Sequence, residues 1–297
     1  MNKLALLILA VFTLSISGFS QDSTEIKVGW TKGAIVTFNT SHTSLTNWVA
    51  GGQNSLSLNS LMNAHLNYQG ETSSWENTLD FGYGLIKQGK QDFLKSDDKI
   101  ELNSKFGKPI NEKLNYSALL NFKSQLTKGY ASSEDKTVIS DLMSPAYLLA
   151  SVGIDYKPAD GISLFIGPLS GKATFVNHPD LVALGSFGLA PGEKVRTELG
   201  AYIRAQHTGE LMKNLSVQNK LDLFSNYLNQ PQFVDVNWEL LLLFKFNSFL
   251  SASINTQLIY DHDIEIGKDT SGDGIMDDFG PRIQFKEIVG LGLTFSF

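Results

Sequence analysis

The sequence predicts an all-β protein: a transmembrane antiparallel β-barrel of about 12 strands with its N- and C-termini on the periplasmic side. Three observations support this prediction. The first twenty residues have the layout of a secretory signal. The rest of the chain alternates apolar and polar residues along unusually long segments. The connections between these segments are mostly short and long in turn.

Residues 1–20 are interpreted as a cleaved signal peptide. Lys3 supplies the positive charge, residues 4–14 are apolar apart from Thr13, and Gly18 and Ser20 place small residues before the expected cleavage site. The apolar run is too short for a membrane anchor, which needs about 20 residues. No linker rich in proline or serine divides residues 21–297, which we therefore assign to a single outer-membrane barrel domain.

The composition argues against several other classes of protein. The chain has no cysteine, so we expect neither disulfides nor a lipoprotein anchor. After the signal peptide no run of about 20 apolar residues remains, which argues against a helical membrane protein. The formal net charge of −6, without any basic block, argues against nucleic-acid binding.

Period-two alternation predicts the individual strands. Leu58, Met62 and Leu66 fall on one face of their segment, whereas Asn63 and His65 fall on the other. The next segment, residues 75–85, continues the pattern with opposite parity, which predicts a hairpin. The same alternation predicts twelve strands, near residues 27–41, 54–68, 74–87, 99–107, 113–127, 146–157, 162–174, 195–207, 214–228, 233–246, 249–261 and 282–297.

Connection lengths and aromatic residues predict how the barrel sits in a membrane. Periplasmic turns are short, whereas the external connections near 42–53, 88–98, 128–145, 175–194 and 262–281 are long; only the external connection at 229–232 is tight. Aromatic side chains prefer the headgroup level, so those at strand ends predict girdles. The lipid-facing aromatics at the periplasmic ends are Trp30, Tyr68, Trp75, Tyr116, Tyr156, Phe246 and Phe297, and those at the other ends are Tyr227 and Tyr260.

The alternative fold is a soluble β-sandwich or lipocalin-like barrel, but soluble strands seldom run to about fifteen residues with a uniformly apolar face. The last strand favours the membrane barrel, because Val289, Leu291, Leu293, Phe295 and Phe297 alternate with small or polar residues. This ending resembles the C-terminal signal that barrel-assembly machinery recognises. The resemblance implies this machinery as a partner, in addition to outer-membrane lipid.

Charged residues on the inward-facing parity are the candidate lumen-lining set. Their mixed signs are expected either of an interior held by ion pairs or of a polar pore for a small polar solute. No ladder of one sign predicts a strongly ion-selective pore. The predicted lumen-lining residues are Glu76, Asp80, Glu101, Lys105, Lys123, Arg196, Glu198, Arg204, Asp222, Glu239 and Arg282, and the same parity includes Asp155, Lys220, Asp235, Lys245 and Lys286.

The last external loop carries the one metal-like motif. Asp269, Ser271, Asp273, Ile275 and Asp277 occupy positions 1, 3, 5, 7 and 9 of an EF-hand-like calcium loop, and a glycine at position 6 could make the sharp turn. The bidentate glutamate of position 12 is absent. We therefore predict that no cofactor is required and that this loop binds Ca²⁺ weakly; an acidic, solvated turn is the equal alternative.

Catalysis is not predicted. One twelve-stranded outer-membrane barrel family is a phospholipase with a Ser-His-Asn site on its lipid-facing side. Here the intramembrane histidine, His65, faces the lumen, and no segment around it matches that family's motifs. Residues 180–189 could fold into the lumen as a plug or cover the mouth, with a mobile surface loop as the alternative.

Several stretches resemble an uncharacterised outer-membrane family of Bacteroidota, domain of unknown function 3078. They begin at Leu45, Trp75, Asp97, Ser144 and Leu221, and the resemblance extends over residues 30–297. It implies an outer-membrane barrel and assigns no activity. Residues 47–54 are the part least explained by barrel physics, and we would expect a binding function there.

Three functions follow from these observations. The first is a passive channel or solute-binding barrel for small polar solutes. The second is a structural or surface-interaction barrel with a plugged lumen. The third, a lipid-acting enzyme, is the least favoured.

Overall fold

The structure is a computed structural model that describes residues 28–46, 52–273 and 276–297. The predicted signal peptide, residues 47–51 and Ile275 lie outside these ranges. Two short helical segments are α1 (Pro179–Leu184) and a 3₁₀ turn (Ser186–Gly188). The strands are β1 (Gly29–Thr43), β2 (Ser55–Gln69), β3 (Ser74–Gln88), β4 (Leu94–Pro109), β5 (Leu114–Ser124), β6 (Gly129–Tyr130), β7 (Val138–Ser140), β8 (Ala146–Tyr156), β9 (Ile162–Phe175), β10 (Val195–Met212), β11 (Leu215–Asn226), β12 (Val234–Lys245), β13 (Leu250–Tyr260), β14 (Glu265–Lys268), β15 (Asp278–Pro281) and β16 (Gln284–Ser296).

Twelve of these strands form one closed antiparallel barrel, which confirms the predicted fold class. Going round the wall the order is β1-β16-β13-β12-β11-β10-β9-β8-β5-β4-β3-β2. The other four strands form two small hairpins, β6–β7 and β14–β15, within long connections. Closure pairs the first strand with the last, from Ile35–Ser296 to Asn39–Gly292. A closed sheet is the arrangement that satisfies strand backbone groups in hydrocarbon.

The two ends of the barrel differ. Short connections and both described chain ends lie at one end, which we call the turn end, and the long connections lie at the other, the loop end. None of the helices in the described part of the chain is long and apolar enough to cross a bilayer.

The outer wall is apolar, as the alternation predicts. Outward-facing Leu58, Leu102 and Leu120 are 42–48% exposed, although they sit in the middle of strands. At the turn end the Trp30 ring lies 5.2 Å from the Tyr68 ring and 6.1 Å from the Trp75 ring. This aromatic cluster is the kind of girdle that anchors a barrel at the membrane boundary.

The fourth strand is longer than the sequence predicts. It begins at Leu94 rather than near residue 99, because the chain resumes pairing with β3 beyond a bulge at Gly84 and Leu85. Lys95 is held there by an ion pair with Asp98 at 2.9 Å and by donating to the carbonyl of Thr127 at 2.7 Å. Polar residues that suggest a loop are therefore part of the wall.

Residues 176–194 fold into a compact cap at the loop end, and the cap includes α1. Val176, Leu181, Val182 and Leu189 are buried together, with Phe187 packed against them. The cap is tied to the preceding long connection, because the buried Ser144 Oγ accepts hydrogen bonds from the backbone N–H groups of residues 177 and 178, both at 2.8 Å. Residues 180–189, predicted either to plug or cover the lumen or to form a mobile surface loop, lie within this cap.

Candidate functional site

The lumen is filled on one side. Inward-facing side chains of β5 and β8–β11 form a buried cluster of Leu119, Leu149, Phe165, Tyr202 and Phe224. The Phe165 and Tyr202 rings are 6.3 Å apart, and Phe165 is fully buried. We call this side the solid half of the barrel. It is a packed core, of the kind that fills small barrels.

A network of ion pairs crosses the middle of the lumen. Its two acidic centres are Glu101 on β4 and Glu239 on β12, and five strands separate β4 from β12 in either direction round the wall. Lys220 bridges them, with Nζ 2.8 Å from Glu101 and 3.3 Å from Glu239. Lys99 and Lys123 also contact both carboxylates. We call this set, together with Arg204 and Asp222, the central network.

The central network is well satisfied by hydrogen bonds. The Arg204 guanidinium donates two hydrogen bonds to Asp222, from Nε to Oδ1 at 2.6 Å and from Nη2 to Oδ2 at 3.0 Å. The Tyr202 hydroxyl donates to the same carboxylate at 2.6 Å. Asn121 Nδ2 donates to Glu101, which is fully buried, at 2.8 Å. Buried charges that are paired and hydrogen-bonded in this way fix geometry rather than add much stability.

Two smaller ion-pair clusters lie nearer the barrel ends. At the turn end, Lys105 Nζ is 3.1 Å from Glu76 and 2.7 Å from Asp155. At the loop end, Arg196 contacts Glu198 at 3.1 Å and Asp263, in the last long connection, at 2.9 Å. Arg196 also donates to the Gly188 carbonyl at 3.1 Å, which ties the cap to the barrel.

The other side of the lumen is hollow. A cavity of about 380 Å³ lies between the central network and the walls formed by β1–β4, β10–β13 and β16, and we call this side the hollow half. Its lining is rich in amide and hydroxyl groups, with an apolar patch of Ile35, Leu61 and Leu241. Chemically, it can hold a small molecule that exchanges hydrogen bonds on one side and packs against aliphatic groups on the other. The polar lining includes Asn63, His65, Asp80, Gln218, Asn255 and Gln257.

Two polar groups of the cavity wall have particular environments. Asp80 accepts a hydrogen bond from Asn63 Nδ2 at 2.5 Å, across the β2–β3 ladder. The His65 ring lies directly over Gly33, where a Cβ would be only 2.6 Å from the ring. A glycine at position 33 therefore makes room for the imidazole against the wall.

The predicted lumen residues divide between these regions. Glu76, Asp80 and Glu239 line the cavity. Arg282 does not join them, which corrects its assignment: it lies in the last connection, and its guanidinium contacts Asp278 Oδ2 at 2.6 Å and the Ile266 carbonyl at 3.1 Å. The last strand begins only at Gln284, so the inward parity does not extend to residue 282. The remaining predicted residues lie in the ion-pair clusters: Glu101, Lys123, Arg204 and Asp222 in the central network, Lys105 at the turn end, and Arg196 and Glu198 at the loop end.

One central residue is missing from the predicted set. Lys99 contacts both Glu101 and Glu239. Its signal in the sequence is parity, since Lys99 precedes Glu101 by two positions. The sequence does not show that side chains of β4 and β12 meet across the lumen.

The calcium-like loop is held by its own hydrogen bonds. Asp269 Oδ1 accepts from the Gly272 backbone N–H at 2.6 Å, and Asp277 accepts from the Thr270 N–H at 2.8 Å and from its hydroxyl at 2.8 and 2.9 Å. The Thr270 N–H, followed by its hydroxyl, lowers the pKa of the Asp277 carboxyl. Ser271 and Asp273 lie in the same turn. Within the described ranges no three His, Cys, Asp or Glu side chains are grouped to hold a metal ion, and calcium binding stays a prediction.

Comparison with known proteins gives a partial family match. A family model described as "Protein of unknown function (DUF3078)" matches residues 40–130, less than a third of the chain. This confirms the resemblance over β2, β3, β4 and β5. No curated protein matches the chain.

Solved barrels are similar in outline. An outer membrane channel from Pseudomonas putida F1 is 12% identical, with 95% of this chain and 100% of that chain covered and a TM-score of 0.40. The translocator domain of the autotransporter NalP from Neisseria meningitidis is 12% identical over 99% and 95% of the two chains, with a TM-score of 0.29. The CymD monoaromatic hydrocarbon channel is 11% identical over 92% and 88%, with a TM-score of 0.32. With TM-scores below 0.5, these likenesses do not bear on the function of this chain.

Proposed function

We propose that this chain is an outer-membrane barrel that acts as a narrow channel for small polar solutes, exported through its signal peptide and inserted with both termini in the periplasm. The single observation that carries the proposal is the hollow half: a cavity of about 380 Å³ inside the barrel with an amide- and hydroxyl-rich lining. The apolar outer wall and the aromatic cluster at the turn end support the membrane location. Full membership of the DUF3078 family, and with it a Bacteroidota origin, is part of the proposal.

The charge pattern supports a weakly selective channel. The carboxylates of the central network and the end clusters are offset by lysine and arginine partners. A neutral or zwitterionic solute therefore meets hydrogen-bonding groups rather than a field of one sign. Because the central network blocks the axis of the lumen, the route runs beside it, along β1–β3, β13 and β16.

The test is a pair of measurements on the detergent-folded mature chain. Heat-modifiable migration on a semi-native gel establishes a folded barrel, and planar-bilayer conductance with liposome swelling in small sugars then measures passage. A heat-shifted band with small, weakly ion-selective currents is the expected result. A heat-shifted band without current or swelling contradicts the channel.

The second candidate function is a structural or surface-interaction barrel with a closed lumen. The specific observation in its favour is the central network itself, which spans the lumen from β4 to β12. In that case the folded chain gives no current, and weakening the network creates one. Neither candidate is an enzyme, and both use barrel-assembly machinery and outer-membrane lipid as partners.

A further inference from the structure

The barrel closes through a short seam between β1 and β16. In the described part of the chain, β1 pairs with β16 only from Ile35–Ser296 to Asn39–Gly292, with Ala34 and Phe297 exchanging two further backbone hydrogen bonds. By contrast, β1 pairs with β2 along all of its residues from Gly29 to Thr43. Residues 40–43 of β1 and residues 284–291 of β16 are thus paired, within the described ranges, on one side only.

The seam ends where a side chain crosses it. Asn39 reaches over Gly290 to donate a hydrogen bond to Ser253 Oγ on β13 at 3.0 Å. A Cβ on Gly290 would lie 2.5 Å from Asn39 Cγ, so only glycine leaves this path open. At the next paired position, a Cβ on Gly292 would be 1.8 Å from the Phe38 carbonyl oxygen. Gly292 thus lets β1 and β16 approach closely, and Gly290 leaves room for the Asn39 side chain to cross the seam.

Beyond the seam the two edges are open to the surroundings. Residues 40–43 are exposed on both faces of β1. On β16, outward-facing Val289 is 66% exposed, more than Leu120 at 48% in the continuous wall. The outer flank of the gap carries the apolar residues Phe285, Val289 and Leu291, with Glu287 at the same outward parity between them.

The gap lies beside the hollow half. Ile35 and Thr37 of β1 and Lys286 of β16 all line the cavity. Lys286 Nζ forms an ion pair with Asp97 on β4 at 2.7 Å. Strands β1, β2 and β3 lie between β16 and β4 in the wall, so this contact crosses the lumen on their inner side. A molecule that enters through the gap would therefore meet this ion pair and then the cavity.

The height of the gap limits what can occupy it. Thr40 is ten residues beyond Trp30, which at about 3.3 Å per residue and a tilt of about 40° places it about 25 Å from the aromatic level, at the far boundary of the apolar band. Unpaired backbone groups are costly in hydrocarbon, because alkyl chains offer them no partner. At this level the polar head of an amphiphile can satisfy them, while its chain extends back into the apolar band along outward-facing Leu291 and Leu293.

From these observations we propose that the β1–β16 gap is a lateral entrance through which a single-chain amphiphile dissolved in the bilayer places its polar head in the hollow half. The inference rests on the outer-membrane location proposed above, and it does not require conduction of polar solutes. The polar head is held by the Lys286–Asp97 pair and the amide groups of the cavity. The chain stays outside the barrel, between Leu291, Leu293 and the surrounding lipid.

The test locks the gap with a crosslink. The chain has no cysteine, so introduced thiols are the only ones present. Continuing the observed register makes residues 40 and 291 the next outward pair after 38 and 293, and Thr40→Cys with Leu291→Cys closes the gap when oxidised by copper phenanthroline or bridged by a bismaleimide. The matched control is Val36→Cys with Phe295→Cys, a pair at the same phase of the ladder that is already formed.

Each folded variant is placed in phosphatidylcholine vesicles with a palmitic acid that carries its diazirine next to the carboxyl group, irradiated, and mapped residue by residue by mass spectrometry. In the unlocked chain we expect labelling of inward-facing Ile35 and Leu61. The locked gap loses this labelling, whereas the locked control keeps it. Absence of inward labelling in the unlocked chain, or labelling that survives the locked gap, overturns the proposal.

A parallel liposome-swelling assay in a small sugar separates this inference from the proposed channel. Swelling that persists when the gap is locked shows that polar solutes use the axial route. If locking the gap removes lipid labelling and the chain never supports swelling, the lateral entrance is upheld and the polar-solute channel is contradicted.

Discussion

Replacing Glu101 by glutamine tests whether the central network holds the lumen. The carboxylate is fully buried and lies 2.8 Å from Lys220, 2.9 Å from Lys99, 3.6 Å from Lys123 and 3.8 Å from Arg204. The variant leaves four cations facing two carboxylates, Glu239 and Asp222, where the native network has three. Removing one partner of a buried ion pair costs about 3–5 kcal/mol, because the remaining charges are left uncompensated. We expect a loss of that size in the free energy of unfolding.

The measurement is denaturant unfolding in lipid vesicles, followed by tryptophan fluorescence. Glu112→Gln, in an exposed turn, makes the same chemical change without buried partners and should change the unfolding free energy by less than about 0.5 kcal/mol. Bilayer conductance on the same samples should rise for Glu101→Gln and shift towards anions, since the excess positive charge grows by one. If Glu101→Gln unfolds at the same denaturant concentration as the native chain, the central network does not hold the lumen together.

Three further results are expected. Leu120→Arg, on the outward face of β5, should cost about 2–4 kcal/mol if it lies at the bilayer midplane, and a neutral result in vesicle unfolding would contradict the assigned parity. Arg196→Met removes the hydrogen bond to the Gly188 carbonyl, so limited proteolysis should cut the cap faster than in the native chain, and an unchanged rate would show that the apolar contacts suffice. Hydrogen bonds from Thr270 lower the pKa of the Asp277 carboxyl. The hydrogen bonds that Asp277 accepts therefore stabilise the last loop above the ordinary carboxyl pKa, and this stabilisation is lost as the pH falls through the lowered pKa of Asp277. Carboxyl chemical shifts should report that midpoint, and Thr270→Val, which removes one donor, should raise it.

The fold could be predicted from the sequence because one physical rule applies along most of the chain. A wall with lipid outside and polar groups inside requires period-two alternation, so strands such as β3 and β12 appear within a few residues of their true bounds. The rule fails where the wall is locally polar. Lys95 and Asp98 suggest a loop, yet hydrogen bonds to residues beyond β5 hold them at the end of a strand.

The site was less predictable, for two reasons. Alternation assigns a residue to the lumen but does not say what it meets there, so the contact of Lys220 with Glu101, 119 positions away, cannot be read from spacing. The same rule assumes a polar lumen and therefore does not account for Leu119, an apolar residue at an inward position of β5. In the structure Leu119 belongs to the core of the solid half, together with aromatic residues on inward positions of β9, β10 and β11.

The division of the lumen has a consequence for how the chain assembles. The solid half is built from β5 to β11, which are consecutive barrel strands joined by hairpin-like contacts, and its apolar cluster can form while the ends of the chain are still apart. The hollow half also needs β1–β4, β12, β13 and β16. Its closure between β1 and β16 is the contact of greatest sequence separation in the wall. Contacts close in sequence form before distant ones because the entropy of closing a loop grows with its length. We therefore expect the middle of the chain to become protected from hydrogen exchange first and the hollow half last.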